Sequence, residues 1–127
     1  MKKVVLLGST GSIGTSTCKV VEDLPNDLEL IGLAAGRNVN LLREQVAQFN
    51  PQMVSVMDPA SAKEFANEFN GTPNVQCGDE GLLELATLPE ADIVLIAIVG
   101  TAGLQPALAT IRAGKDIAVA SKEFLVM

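Results

Sequence analysis

The sequence predicts an α/β domain built on a doubly wound parallel sheet. Short β-branched and aliphatic runs alternate with segments of helical apolar spacing, and strands and helices of these lengths pair in parallel through right-handed crossovers. The length, 127 residues, suits one domain, and a chain of this size buries about two-thirds of the surface it would expose unfolded, enough for a core without staples. Apolar residues make up 48% and charged residues 19%, a globular balance.

The elements follow in order. Val4–Leu7 is a short apolar run ended by Gly8 and reads as a strand buried on both faces. Ile13 through Asp23 has helical spacing, with Ile13, Thr17, Val20, Val21 and Leu24 on one side and Pro25-Asn26-Asp27 as the stop. Leu28–Ala35 is the second strand, and Leu41–Phe49 a second amphipathic helix carrying Leu42, Val46 and Phe49, with Asn40 as its expected N-cap. Met53–Met57 is a third strand. Asp58-Pro59 supplies a cap followed by proline at the first helical position, so a helix to about Phe69 follows, ended by Asn70-Gly71. A short helix at Glu80–Thr87 leads to the clearest strand, Ile93–Val99. A helix near Leu104–Ala113, stopped by Gly114, and a strand at Asp116–Ala120 complete the pattern. The final run, Phe124–Met127, is apolar and has no polar tail; it reads as a domain continuing into a longer protein, or else as a terminal element tucked into the sheet.

Composition removes several function classes. The formal charge is −6 and no basic run exceeds Lys2-Lys3, while four Phe are the only aromatic residues, so a cationic stripe with stacking platforms for nucleic acid is missing. There is no His, which excludes His-based metal sites, triads and proton shuttles within the chain. Cys18 and Cys77 form no C-x-x-C pair and fit a reducing compartment; Cys18 is read as mid-helix and Cys77 as a loop residue, with no neighbouring base to make a thiolate. No apolar segment reaches the roughly 18 residues of a membrane span, and the run after Lys3 is too short for a signal peptide. The expectation is a cytoplasmic protein.

The most informative stretch is the first βα turn, Gly8-Ser9-Thr10-Gly11-Ser12-Ile13-Gly14. It follows a predicted strand and opens a predicted helix, the setting of a dinucleotide-binding fingerprint in a Rossmann-like domain. Gly8 permits the tight turn, Gly11 lets a diphosphate approach the backbone, and Gly14 lets the helix pack closely. The amides of Thr10, Gly11, Ser12 and Ile13 have no partners within the helix and face the anion, with hydroxyls from Thr10 and Ser12 beside them. The spacing is G-x-x-G-x-x-G, a variant of the usual pattern, and the absence of Lys between Lys3 and Lys19 argues against a Walker A loop.

The second strand's end selects the cofactor. An NAD site places Asp or Glu there, about 20 residues on, to accept from the ribose hydroxyl. Here the chain runs Ala35-Gly36-Arg37-Asn38, with no acid, and a guanidinium forks onto phosphate. Arg37 therefore suits the 2′-phosphate of NADP with Asn38 donating beside it, the plain alternative being a solvated loop arginine. Ala97–Gly103, after the strongest strand, leaves room for the middle of the cofactor, although an ordinary glycine-rich turn fits it equally. Ser121-Lys122-Glu123 lies at the end of the last strand, where a solvated turn is the simpler reading. The functional one sets Lys122 against an anionic or carbonyl oxygen and Glu123 by the nicotinamide.

Taken in order, Gly8–Gly14, Ala35–Val39, Ala97–Leu104, Ile111–Lys115 and Lys122-Glu123 resemble the N-terminal NADPH-binding domain of the 1-deoxy-D-xylulose 5-phosphate reductoisomerases. The resemblance is colinear over essentially the whole chain. It implies that the full-length enzyme isomerises 1-deoxy-D-xylulose 5-phosphate and reduces the aldehyde formed to 2-C-methyl-D-erythritol 4-phosphate, in non-mevalonate isoprenoid biosynthesis. NADPH and a divalent metal (Mg²⁺, Mn²⁺ or Co²⁺) would serve it, with the metal ligands and catalytic residues outside these 127 residues. A homodimer of the full-length enzyme is expected. The family's cofactor contacts fall on Thr10, Gly11, Ser12, Ile13, Gly36, Arg37, Asn38, Ser121 and Glu123, and its substrate contact on Lys122. Two departures stand out: Ser121 replaces the usual Asn, and Arg37 stands where Lys is frequent. Two other readings stay open: another NADP enzyme with the same loop, such as an aspartate-semialdehyde dehydrogenase or a sugar dehydrogenase, and a non-catalytic nucleotide-binding module.

Overall fold

The computed structural model describes residues 2–36, 38–69, 73–98 and 104–119. Six strands and five helices alternate: β1 (Lys2–Leu7), α1 (Ser12–Asp23), β2 (Leu28–Ala34), α2 (Val39–Phe49), β3 (Met53–Val56), α3 (Pro59–Phe69), β4 (Asn74–Cys77), α4 (Gly78–Ala86), β5 (Ile93–Ile96), α5 (Leu104–Arg112) and β6 (Asp116–Val119). The strands form one parallel sheet in the order β4-β3-β2-β1-β5-β6. The chain winds outward from β1 to β4, then returns past β1 to lay β5 on its other side. This is the doubly wound α/β architecture expected from the sequence.

The apolar runs have a simple physical cause. Successive strand side chains point to opposite faces, so a strand covered on both sides is apolar throughout. Val4 and Leu6 join Leu30, Leu33, Val54 and Val56 in a core under α1, α2 and α3, with Phe65 fully buried at its centre. Val5 and Leu7 join Ile31, Val94 and Ile96 in a second core under α4 and α5, filled by Leu82, Leu85 and Ala107. The sheet is thus the middle of three layers.

A start and a stop signal act as the sequence suggests. Asp58 accepts from the Ala60 amide (3.4 Å) and the Ser61 hydroxyl (3.1 Å) at the head of α3. Gly114, at φ +73, turns the chain out of α5.

Five expectations are corrected. β4 has no counterpart in the sequence reading: Asn-Val-Gln-Cys is polar at alternate positions and only half-buried at the sheet edge, so it shows no apolar run. Cys77 accordingly ends a strand rather than lying in a loop, and α4 begins at Gly78, before the expected Glu80. β5 stops at Ile96, short of the expected Val99, which lies outside the described residues. The buried side of α1 is Gly14, Cys18 and Val21; Ile13, Val20 and Leu24 are 49%, 49% and 42% exposed. The helix lies so close to the turn before it that only the small Gly14-Cys18 side fits beneath.

Phe65→Ala should cost about 3–5 kcal/mol by urea unfolding, the usual loss for a large aromatic in a core. Ile111→Ala, at a position 59% exposed, should stay within about 0.5 kcal/mol.

Candidate functional site

The strand order reverses between β1 and β5, and in open α/β sheets ligands settle in the crevice beyond the carboxyl ends at such a point. The residues that follow these two strands meet there. Gly8, directly after β1, has φ +95, and a Cβ on it would stand 2.6 Å from the Ala97 carbonyl oxygen after β5. Only glycine fits. The Gly8 and Ser9 amides both donate to the Ala34 carbonyl at the end of β2, at 2.9 and 2.8 Å. Three adjacent strand ends are thereby drawn into one corner.

Gly14 completes the corner from the helix side. A Cβ there would penetrate the Gly8 carbonyl oxygen and come within 2.7 Å of Ser9 backbone atoms. The close fit sets the amino end of α1 directly over the turn. The N-cap is Gly11, which has no side chain to bond the first turn, and no acidic residue stands there. Among the described residues the amides of Thr10, Ser12, Ile13 and Gly14 donate to nothing, and that of Gly11 reaches only the Gly8 carbonyl at 3.4 Å. Such a cluster of unspent N–H groups at a helix start attracts anions, aided by the helix dipole.

Gly11 differs from the other two glycines. Its backbone (φ −77, ψ 177) suits any residue, and a Cβ would touch only the Gly8 oxygen at 3.8 Å. The protein itself leaves that space open. Gly11 lines a cleft of ≈ 300 Å³ together with Gly8, Ala34, Ala35, Ala97 and Ile98, and with Met57 and Leu82. Gly36 also lines it, and a Cβ there would meet nothing within 4 Å. The cleft therefore has apolar walls and amides at one rim, the usual constitution of a site for a large, partly charged ligand.

Of the predicted contacts Gly11 and Gly36 line this cleft, Thr10, Ser12 and Ile13 flank Gly11 along the chain, and Asn38 stands at the head of α2. Asn38, not Asn40, caps α2: its Oδ1 accepts from the Leu41 amide at 3.1 Å. With the oxygen so engaged, the amide nitrogen of Asn38 is the end left to donate. Asn40 instead accepts from Arg43 at 2.8 Å, and Arg43 forks onto Glu68 of α3 at 2.6 and 2.9 Å. That guanidinium is spent on linking two helices. Arg37, Ser121, Lys122 and Glu123, with Val99 to Gly103, lie outside the described residues.

Sequence reasoning missed Gln45. It is 5% exposed on α2, and its Nε2 donates to the Ser9 carbonyl at 2.7 Å and to Cys18 Sγ at 3.6 Å. A glutamine at an apolar helix position is the only trace it leaves in the sequence. Cys18 is no nucleophile: burial first, and the charge of Glu22 second, push its thiol from 9.0 to about 11. A larger groove of ≈ 520 Å³ lies at the opposite edge, among the ends of α1 and α2 and the start of β2. Its charged lining residues are Glu22 and Glu29, which repel phosphate. Among the described residues no three His, Cys, Asp or Glu cluster as for a metal ion, and no helix is long and apolar enough to cross a membrane.

Residues 4–127 match the family model for 1-deoxy-D-xylulose 5-phosphate reductoisomerase. The chain belongs to the 1-deoxy-D-xylulose 5-phosphate reductoisomerase family. Among relatives of that name, the protein of Shouchella clausii (strain KSM-K16) is 48% identical over 126 residues, covering 99% of this chain and 33% of its own length. The reductoisomerase of Zymomonas mobilis, solved in complex with NADPH, superposes with a TM-score of 0.89 at 36% identity, covering 98% of this chain and 33% of its own. A reductoisomerase solved with NADPH, fosmidomycin and magnesium gives 0.92 at 35% identity, covering 100% and 32%. The chain thus spans about a third of the length of the reductoisomerases it matches.

Two outcomes follow. Gly14→Ala should destabilise the fold by about 1–3 kcal/mol in urea, as overpacking against fixed backbone does. Because the folded Cys18 thiol titrates near 11 against 9.0 unfolded, its contribution to stability is complete below pH 9 and fades as pH rises through 11. Unfolding curves of Cys18→Ala should lack that part of the alkaline loss.

Proposed function

We propose that this chain is the NADPH-binding domain of a 1-deoxy-D-xylulose 5-phosphate reductoisomerase, a longer enzyme whose catalytic and C-terminal parts supply the rest of the chemistry. The single observation that carries the reading is the open space at Gly11. Among the described residues nothing occupies it or requires glycine there, while unspent amides lie beside it. A diphosphate needs both features.

In this reading the amides of Thr10, Gly11, Ser12 and Ile13 hold the diphosphate, with the hydroxyls of Thr10 and Ser12 adding donors. Gly36, Arg37 and Asn38 receive the adenosine end: the guanidinium pairs with the 2′-phosphate, and the Asn38 amide nitrogen is oriented by its cap bond. The apolar walls exclude water from the middle of the cleft. Ser121 and Glu123 bind at the nicotinamide end, and Lys122 meets the phosphorylated sugar substrate. NADPH, when bound, supplies the hydride that reduces the aldehyde formed by isomerisation of 1-deoxy-D-xylulose 5-phosphate, giving 2-C-methyl-D-erythritol 4-phosphate. The chain's own contribution is orientation, which counts for much of such a step. The divalent metal (Mg²⁺, Mn²⁺ or Co²⁺) belongs with ligands outside this chain. Assembly of the whole enzyme as a homodimer and residence in the cytoplasm accompany the same reading.

Calorimetric titration tests it. NADPH should bind about tenfold or more tightly than NADH, the scale of a charge-assisted contact to the 2′-phosphate. Arg37→Ala should close most of that gap, and equal affinity for both cofactors in the unsubstituted protein would remove Arg37 from its role. Gly11→Val should abolish NADPH binding at an unchanged melting temperature; unchanged affinity would refute the diphosphate placement.

A further inference from the structure

The turn that offers its amides to an anion has a second side, and there a buried amide from another helix holds it. Ser9 is fully buried, and its carbonyl accepts from Gln45 Nε2 at 2.7 Å, the shortest hydrogen bond that reaches the turn. A carbonyl only accepts, so the NH₂ end of Gln45 is the end that faces it. In a planar trans peptide the C=O and the following N–H point in opposite directions. Drawing the Ser9 oxygen inward toward α2 therefore turns the Thr10 N–H outward, away from the core, where it meets no acceptor among the described residues. None of the turn's backbone hydrogen bonds engages the Ser9–Thr10 peptide itself: Gly8 and Ser9 are held through their own amides on Ala34, two and one peptide bonds earlier, and Gly11 reaches the Gly8 carbonyl at 3.4 Å.

For stability the glutamine works in both directions, since its Nε2 satisfies the buried Ser9 carbonyl. Gln45 Oε1 is buried and has no hydrogen-bond partner, a cost that an apolar side chain of similar shape avoids. What the side chain does accomplish is contact with the carbonyl of Ser9 and, more weakly at 3.6 Å, with the thiol of Cys18. It also sits on α2, the helix whose cap is Asn38, so one rigid element touches the adenosine end and the diphosphate end of the cleft.

We propose that Gln45 is a positioning residue for the phosphate-binding turn: by holding the Ser9 carbonyl inward it keeps the Thr10 amide aimed at the diphosphate of the cofactor. The inference rests on the NADPH reading above and adds to it a residue outside the glycine-rich motif. It makes a distinction that a merely structural role would not. Loss of Gln45 should weaken ligands that carry a bridging diphosphate and spare ligands that carry only the 2′-phosphate end.

The test is calorimetry on the intact protein with two probes, NADPH and 2′-AMP, the second lacking the diphosphate. Gln45→Met keeps the length and apolar stem of the side chain and removes the donor. It should weaken NADPH about ten- to a hundredfold, the worth of one hydrogen bond to a charged group, and leave 2′-AMP within about twofold. Gln45→Glu supplies a second measurement should the methionine variant fail to fold. A protonated carboxyl donates to the Ser9 oxygen and an ionised one repels it, so NADPH affinity should approach the unsubstituted value at acid pH and fall as the buried acid ionises. Cys18, the titratable side chain that Gln45 touches, stays neutral up to about 11 and does not interfere. Equal NADPH affinity in folded Gln45→Met, equal weakening of both probes, or a flat pH profile in Gln45→Glu would each overturn the proposal while leaving the cofactor reading intact. Failure of the unsubstituted protein to bind NADPH would instead bring down that reading, and this inference with it.

Discussion

The approach of α1 to the Gly8–Ser9 backbone is the contact on which the rest of the molecule turns. Two segments of main chain come together there without side chains between them, because Gly14 contributes only hydrogen where a Cβ would collide. This contact fixes where the helix begins. The groups left over lie beside it: Gly11, the N-cap, has no side chain to bond the first amides of α1, which remain unspent among the described residues. A site for an anion arises here from steric exclusion more than from any charged residue.

Much of this was legible before any coordinates. The alternation of apolar runs with helical spacing announced the sheet, since parallel strands covered on both faces must be apolar at every position. The Gly8–Gly14 spacing announced the turn, because its first and last glycines answer steric demands that no other residue meets, while Gly11 leaves space open. Failure came where the physical signal was weak or ambiguous. β4 has no apolar run, as an edge strand half open to water needs none. On α1 periodicity pointed to Ile13, Thr17, Val20, Val21 and Leu24; Val21 is indeed buried, but beside it packing selected the small Gly14 and Cys18, and Ile13, Val20 and Leu24 stay exposed. Asn38 and Asn40 are both good caps, and only backbone geometry tells which one bonds the first turn of α2.

Gln45 was illegible for a different reason. Its role depends on a partner 36 positions away, on the far side of β2, and the partner is a backbone oxygen that every residue possesses. Motifs record side chains that meet a ligand directly. They do not record a side chain that acts through the orientation of someone else's peptide bond. The two ends of the cleft are consequently less independent than two separate motifs suggest, because α2 carries both the Asn38 cap and the Gln45 tether.

The pairing of β1 with β5 has a consequence for how the molecule comes into being. Val4 lies opposite Ile93, so joining these strands closes a loop of about ninety residues. The β1–β2 half can assemble from neighbouring segments soon after they leave the ribosome, but the floor under Gly8 is the Ala97 carbonyl, which emerges about sixty residues after the end of β2. Long-range parallel contacts of this kind are slow to form. The nascent polypeptide therefore acquires its glycine-rich corner early and its complete crevice late, and premature termination upstream of β5 yields a molecule with the motif but without the pocket.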